Sequence, residues 1–123
     1  MTEIHTFAIL YAAEGKAERM RSLLEKQCKK VHENEDYTLR FLVTEPIAVD
    51  SKNASVAEQR DDKGEEFVMF ETYKSKEAML QHEEESYFKE GFGLFVEEGL
   101  MAKAPLLIRT VSKAGFDRDR KLI

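Results

Sequence analysis

The segments of this chain that read as β-strands carry apolar side chains on both of their faces. Between Glu66 and Tyr73, Phe67 and Met69 alternate with Val68 and Phe70, so neither face of the strand is polar. Successive side chains of a strand point to opposite faces, and a sheet that meets water on one side is polar on that side. The pattern therefore predicts a sheet that is covered on both faces.

The order of the predicted elements fixes the fold class. Strands are predicted over about residues 4–13, 37–45, 66–73 and 106–111, and helices over 16–34 and, after an N-cap at Ser75 and with a break near Ser86, over 76–100. The first helix is predicted from an apolar stripe spaced three and four residues apart. The order β-α-β-β-α-β is typical of the α+β ferredoxin-like fold, in which an antiparallel sheet carries its helices on one face.

A second copy of the chain is the simplest cover for the other face. The chain has 123 residues, enough for one domain, and its helices can cover one side of the sheet. A bare apolar face would be larger than monomers usually expose. We therefore expect a homodimer that pairs through the sheet face. The domain is predicted over residues 1–112, with a long polar loop at 47–64, and residues 113–123 form a charged C-terminal tail.

Charge and composition exclude several classes of partner. The formal net charge is −5, which argues against nucleic acid and against a polybasic membrane contact. We find no apolar run of membrane-spanning length and no signal peptide, so we expect a cytoplasmic protein. A single cysteine, Cys28, excludes an internal disulfide.

The third strand and the helix after it resemble a known family. Phe67–His82, followed by Ser86, Tyr87 and Phe88, is similar to the antibiotic biosynthesis monooxygenase domain of the dimeric α/β barrel superfamily. Members have an apolar strand, a glutamate, an aromatic residue two positions on, and then a small helix with a histidine. The resemblance covers about residues 4–112, and Gly15 stands where the family turns after its first strand.

The resemblance implies a cofactor-free oxidation. The best-known members oxidise anthrones or quinols with molecular oxygen and need no metal, flavin or haem. The haem-degrading members use a tryptophan, and this chain has none. The implied function is a cofactor-independent monooxygenase that acts on a small quinol, phenol or anthrone-like substrate. Two alternatives stay open: a non-enzymatic dimeric module, stress-associated or binding a small hydrophobic molecule, and an isomerase or lyase acting on a small carbonyl compound.

Three residues are the predicted catalytic groups: His82, Glu71 and Tyr73. A histidine can accept a proton from a phenol near neutral pH, a carboxylate can orient it, and a tyrosine hydroxyl can stabilise a developing oxyanion. Structural roles are also consistent with the sequence, and for His82 and Glu71 they are the favoured interpretation. His82 could bond Glu71 or a backbone carbonyl, and Glu71 could pair with Arg40, Arg109 or His82.

Five further residues are predicted to bind the substrate: Tyr11, Arg40, Phe70, Phe88 and Phe92. The tyrosine could donate into a cavity and the arginine could bind an anionic group. The phenylalanines could line an apolar pocket. As structural alternatives, the aromatic residues would belong to the core, and Arg40 would lie at a strand edge with its stem buried.

Overall fold

The computed structural model describes residues 2–47 and 65–123. In this part of the chain the elements are β1 (Ile4–Tyr11), α1 (Ala17–Asn34), β2 (Thr38–Thr44), β3 (Glu66–Tyr73), α2 (Lys76–Glu84), α3 (Ser86–Glu97) and β4 (Leu106–Thr110). The strands form one sheet in the order β2-β3-β1-β4, and all neighbouring strands are antiparallel. The predicted α+β ferredoxin-like fold is confirmed. Apart from Ile47, the predicted loop at 47–64 lies outside the described residues.

Local signals in the sequence set the boundaries of the helices. The turn before α1 contains Gly15, whose φ of +76° is a left-handed conformation that glycine adopts without strain. The Ser75 hydroxyl caps α2 by accepting the Ala78 N–H at 3.1 Å. Glu85 is extended, with φ −65° and ψ 139°, and separates α2 from α3. Within the described ranges, no helix combines the length and the apolar character needed to cross a membrane.

One face of the sheet packs against the helices, and we call it the helix face. The register aligns its side chains in rows across the strands: one row is Arg109, Thr6, Glu71 and Phe41, and the next is Leu107, Ala8, Met69 and Val43. Apolar residues of the second row, such as Ala8 and Met69, pack in one core with the buried stripe of α1, which includes Met20, Leu23 and Leu24. The first row is thus more polar than the row beside it.

The opposite face, which we call the open face, has no helix from residues 2–47 or 65–123 packed against it. Its rows are Thr110, His5, Thr72 and Arg40, then Ile108, Phe7, Phe70 and Leu42, then Leu106, Ile9, Val68 and Thr44. The C-terminal segment contacts the first, polar row. The Ser112 hydroxyl lies 2.7 Å from Nε2 of His5, and Asp117 pairs with Arg40 at 2.7 Å. Large side chains in the two apolar rows are exposed: Phe7 by 39%, Leu42 by 51% and Ile108 by 48% in the first of them, and Leu106 by 45% in the second.

Candidate functional site

A cavity of 330 Å³ lies between the helix face of the sheet and the three helices. Its volume is at the small end of the range for small-molecule sites. Most of its wall is apolar and comes from β1, β3 and α3, with Ala8, Leu10, Met69, Phe92 and Phe95 among the lining residues. Such a wall suits a small aromatic or hydrophobic molecule.

A close approach of two helices shapes the back of this cavity. Gly91 on α3 faces Gln27 on α1, and a Cβ at position 91 would lie 2.0 Å from Nε2 of Gln27. That nitrogen donates to the backbone carbonyl of Tyr87. The contact holds the first turn of α3 against α1, and both Gly91 and Gln27 line the cavity. A larger residue at position 91 would therefore force these helices apart.

The polar groups of the cavity are concentrated at the end beside the first row of the helix face. His82, Glu83, Glu71, Tyr73 and Arg109 all line the cavity there. A ligand with one polar end would therefore be held in a fixed direction. In residues 2–47 and 65–123, no three His, Cys, Asp or Glu side chains converge as metal ligands.

His82 is held by a carboxylate that comes from the end of α1. Its Nδ1 lies 2.8 and 2.9 Å from the two carboxylate oxygens of Glu35. The hydroxyl of Thr38 donates to the same carboxylate at 2.7 Å, and the Tyr87 hydroxyl donates to it as well. The Glu35 side chain is fully buried and the His82 side chain is 4% exposed. Three elements, α1, α2 and α3, thus meet at one buried carboxylate.

These contacts decide which nitrogen of His82 carries a proton. Burial raises the pKa of Glu35, but the hydrogen bonds from His82, Tyr87 and Thr38 outweigh it and lower the pKa below its ordinary value. Glu35 is therefore ionised at neutral pH and can only accept hydrogen bonds. Nδ1 of His82 must be the donor, which leaves the lone pair of the neutral ring on Nε2.

Nε2 of His82 is the ring nitrogen that Glu35 leaves unbonded. It has no hydrogen-bond partner among the described residues, and the ring lines the cavity. Phe88 packs against the ring at 4.9 Å between centroids, and Phe41 does so at 5.7 Å. A carboxylate that fixes Nδ1 and an unengaged Nε2 are the arrangement of a general base.

A second buried carboxyl group has the opposite character. Glu71 accepts a hydrogen bond from the Tyr73 hydroxyl. Burial raises the pKa of Glu71, and this outweighs the hydrogen bond from Tyr73, which lowers it. Burial and the charge of Glu71 raise the pKa of Tyr73 in turn. Tyr73 therefore stays protonated and can donate a hydrogen bond, while Glu71 takes up a proton more readily than an exposed glutamate.

In the structure, the hydrogen-bond partners of His82 and Glu71 differ from those that the sequence suggested. His82 bonds Glu35 rather than Glu71 or a backbone carbonyl, and Glu71 bonds Tyr73. Sequence reasoning missed Glu35. Its position was a usable signal, because it follows Gln27 and Val31 at intervals of four and so continues the apolar stripe of α1. A carboxylate on a buried stripe needs a partner inside the protein.

Five of the predicted site residues line the cavity together: His82, Glu71, Tyr73, Phe88 and Phe92. The two phenylalanines stack at 6.4 Å along α3. Phe92 is 43% exposed, so it lies where the cavity reaches the surface. These residues come from β3, α2 and α3, which the family resemblance covers.

The other three predicted residues lie outside the cavity. Tyr11, Arg40 and Phe70 point to the open face, because each is adjacent in its strand to a residue of the helix face. Phe70 packs edge-on against Phe7 at 5.4 Å, and Tyr11 lies beneath the ammonium group of Lys103 at 4.2 Å. A ligand in the cavity would be separated from all three by the sheet.

Comparison with solved structures identifies proteins of the same fold. A protein from Caulobacter crescentus, described as a candidate antibiotic biosynthesis monooxygenase, is 22% identical, with 91% of each chain covered and a TM-score of 0.70. A protein from Nitrosomonas europaea with the same description is 15% identical, with 90% of each chain covered and a TM-score of 0.69. A third, from Deinococcus radiodurans and also so described, is 16% identical, with 93% of this chain and 96% of the other covered and a TM-score of 0.67.

The class of the protein follows from the fold. The chain has the ferredoxin-like α+β fold of the antibiotic biosynthesis monooxygenase-like structures over nine tenths of its length. No protein-family model and no curated protein matches the sequence.

Proposed function

We propose that the protein is a cofactor-independent monooxygenase that binds a small phenol, quinol or anthrone-like molecule in the cavity. The observation that carries the proposal is the pairing of Glu35 and His82. The buried carboxylate fixes one ring nitrogen, and the other is left for the ligand. The apolar wall suits an aromatic ring, and Tyr73 would donate to the oxyanion that forms by turning its hydroxyl proton away from Glu71, the acceptor in the free protein.

The chemistry needs only the base and oxygen. For an anthrone-like CH₂ group, Nε2 of His82 removes one proton, and the resulting carbanion passes an electron to O₂. Recombination forms a C–O bond, and the peroxide takes the proton back from the imidazolium. Loss of the second C–H proton then breaks the O–O bond and gives a carbonyl and water. The CH₂ carbon loses four electrons, which O₂ gains, so the reaction balances without a further reductant.

Oxygen uptake with anthrone and hydroquinone tests this function. We expect substrate-dependent uptake by the wild type and a loss of about 10²–10⁴-fold in His82→Gln, the range typical of a general base. Glu35→Gln, which keeps the shape but removes the charge, should lose about tenfold or more because the imidazolium is no longer stabilised. His32→Gln, which changes an exposed histidine of α1, is the control and should behave as the wild type.

Three outcomes would contradict the proposal. Uptake that is unchanged in His82→Gln would remove its base. Thermal stabilisation by the aromatic compound without any turnover would favour the binding module. Equal turnover of a small carbonyl compound in air and under argon would favour the isomerase or lyase.

We infer that a second copy of the chain covers the open face. One of its apolar rows contains Phe7, Leu42 and Ile108 and the other contains Leu106, and these four side chains are between 39% and 51% exposed. A contiguous apolar surface of this kind is typical of an interface. The C-terminal segment contacts the polar row beside them through Ser112 and Asp117. A two-fold axis over the apolar rows would place the apolar rows of one copy against those of the other. Sedimentation should give the mass of a dimer, and a folded monomer at micromolar concentration would contradict this pairing.

A further inference from the structure

The mouth of the cavity carries an ion pair that the proposed reaction does not use. Arg109 on β4 bonds Glu83 on α2, and both residues line the cavity. Among the described lining residues, Arg109 is the one lysine or arginine. Leu107, its neighbour on the same face of β4, is 49% exposed. The edge of the cavity at β4 is therefore open to solvent, and Arg109 provides the positive charge at this edge.

The base and this cation line the same polar end of the cavity, and Glu83, which bonds Arg109, directly follows His82 on α2. Arg109 is at the β4 end of its row on the helix face, and Phe41, against which His82 packs, is at the β2 end. Thr6 and Glu71 lie between the two ends. A flat ligand that lies across the strands can therefore reach His82 with one substituent and Arg109 with another.

The present partner of Arg109 can be displaced. The side chains of Arg109 and Glu83 are 40% and 34% exposed, and an ion pair in such a position adds little net stability. A guanidinium also presents a planar fork of N–H groups that fits a carboxylate in a bidentate manner. Glu83 thus occupies the position that a carboxylate on a ligand would take.

We propose that Arg109 selects aromatic acids, by binding the carboxylate of a small hydroxylated aromatic compound in exchange for Glu83. This inference rests on the proposed function, because it places the phenolic end of the same ligand at His82. It makes the substrate an anion and assigns Arg109 as the residue that determines specificity. Glu83 is then a competitor that keeps Arg109 ordered while the site is empty.

Two probes of one shape test the proposal: 4-hydroxybenzoate, which is an anion, and 4-hydroxybenzamide, which is neutral. Binding to the full chain is measured by NMR titration at neutral pH and low salt. We expect the wild type to bind the acid about fivefold to tenfold more tightly than the amide, since the contact is charge-assisted but partly exposed. Added salt should reduce this preference.

Two variants at the mouth should act in opposite directions. Arg109→Gln should remove the preference for the acid, and Glu83→Gln should strengthen it because the competitor is lost. Arg19→Gln and Glu98→Gln are matched controls. They change an Arg–Glu pair between α1 and the residue after α3, with side chains 44% and 32% exposed, that is not part of the cavity lining. Neither control should alter the ratio of the two affinities.

The outcomes separate this inference from the function it rests on. Equal affinity for acid and amide in the wild type, or a preference that survives Arg109→Gln, would overturn the selection of acids and leave the cavity as an aromatic site. Binding of neither probe would overturn both. Binding of both probes that is unchanged in His82→Gln would contradict the placement of the phenolic end.

Discussion

The two faces of the sheet are built from the same four strands, yet they satisfy their side chains in different ways. On the helix face, every fully buried side-chain nitrogen or oxygen of the described residues has a hydrogen-bond partner within the chain, and Glu35 and Glu71 are buried among aromatic residues. On the open face, two rows of large apolar side chains remain exposed, Phe7 and Leu42 among them.

Under the functions proposed above, the difference separates chemistry from assembly. Polar groups become reactive where water is excluded and their partners are fixed, which the helix face provides around His82. Apolar groups left exposed drive association, which the open face offers. Adjacent residues of one strand, such as Phe70 and Glu71, therefore lie in different environments on the two faces.

A charge on the open face should have the largest effect. Phe7→Asp would place two unpaired carboxylates in a two-fold interface, one from each copy. We expect the dimer to weaken by about 100-fold or more, measured by analytical ultracentrifugation. Leu80→Asp on α2, where the wild-type leucine is 46% exposed, is the matched control. If Leu80→Asp weakened the dimer as much as Phe7→Asp, the open face would not be the interface.

Loss of the buried carboxylate on the helix face should come next. Glu35→Ala leaves His82, Tyr87 and Thr38 without their acceptor, and we expect the free energy of unfolding to fall by about 3 kcal/mol at neutral pH. Chemical denaturation measures this fall, with Glu33→Ala, at an exposed position of α1, as the control.

The effect of Glu35→Ala should depend on pH. The pKa of Glu35 is lowered in the fold, so its contribution is present above the ordinary value of 4.5 and is lost as the pH falls through the folded pKa. The difference in the free energy of unfolding between the wild type and Glu35→Ala should therefore decrease at low pH. A difference in the free energy of unfolding that increased at low pH would contradict the assignment of Glu35 as the ionised partner.

Glu71 should show the opposite dependence on pH. Its pKa is raised in the fold, so the wild type loses stability as the pH rises from 4.5 through the folded pKa. Glu71→Gln cannot ionise, and we expect its Tm to exceed that of the wild type by about 2–6 °C above this range. Thermal scans between about pH 4 and pH 8 measure the difference, with the exposed Glu90→Gln as control. A Tm advantage that shrank as the pH rose would be inconsistent with a raised pKa.

The smallest effect concerns a residue that the sequence assigned to the substrate. Arg40 lies on the open face and pairs with Asp117, so Arg40→Gln should leave the affinity of the cavity for 4-hydroxybenzoate unchanged. Arg109→Gln, on the other face of the same sheet, should lower it. NMR titration of both variants makes the comparison, and equal losses would mean that the two faces are not separate in function.

Periodicity and capping made the fold predictable. Signals in neighbouring residues predict the strand at Glu66–Tyr73, the cap at Ser75 and the break before Ser86. The structure has each of these features where it was expected. The partner of His82 was not predictable in this way, because Glu35 is 47 positions distant in the chain. Only the packing of α1 and α2 against α3 brings the two together. Strand alternation, by contrast, already separates Phe70 from Glu71.

The state of the His82 ring tests the central claim most directly. ¹⁵N NMR of the imidazole nitrogens in the free protein distinguishes which nitrogen carries the proton. The account predicts that neutral His82 is protonated on Nδ1, and that a phenolic ligand shifts the resonance of Nε2. A ring protonated on Nε2, or an Nε2 resonance that no phenolic ligand moves, would contradict the assignment of His82 as a base facing the cavity.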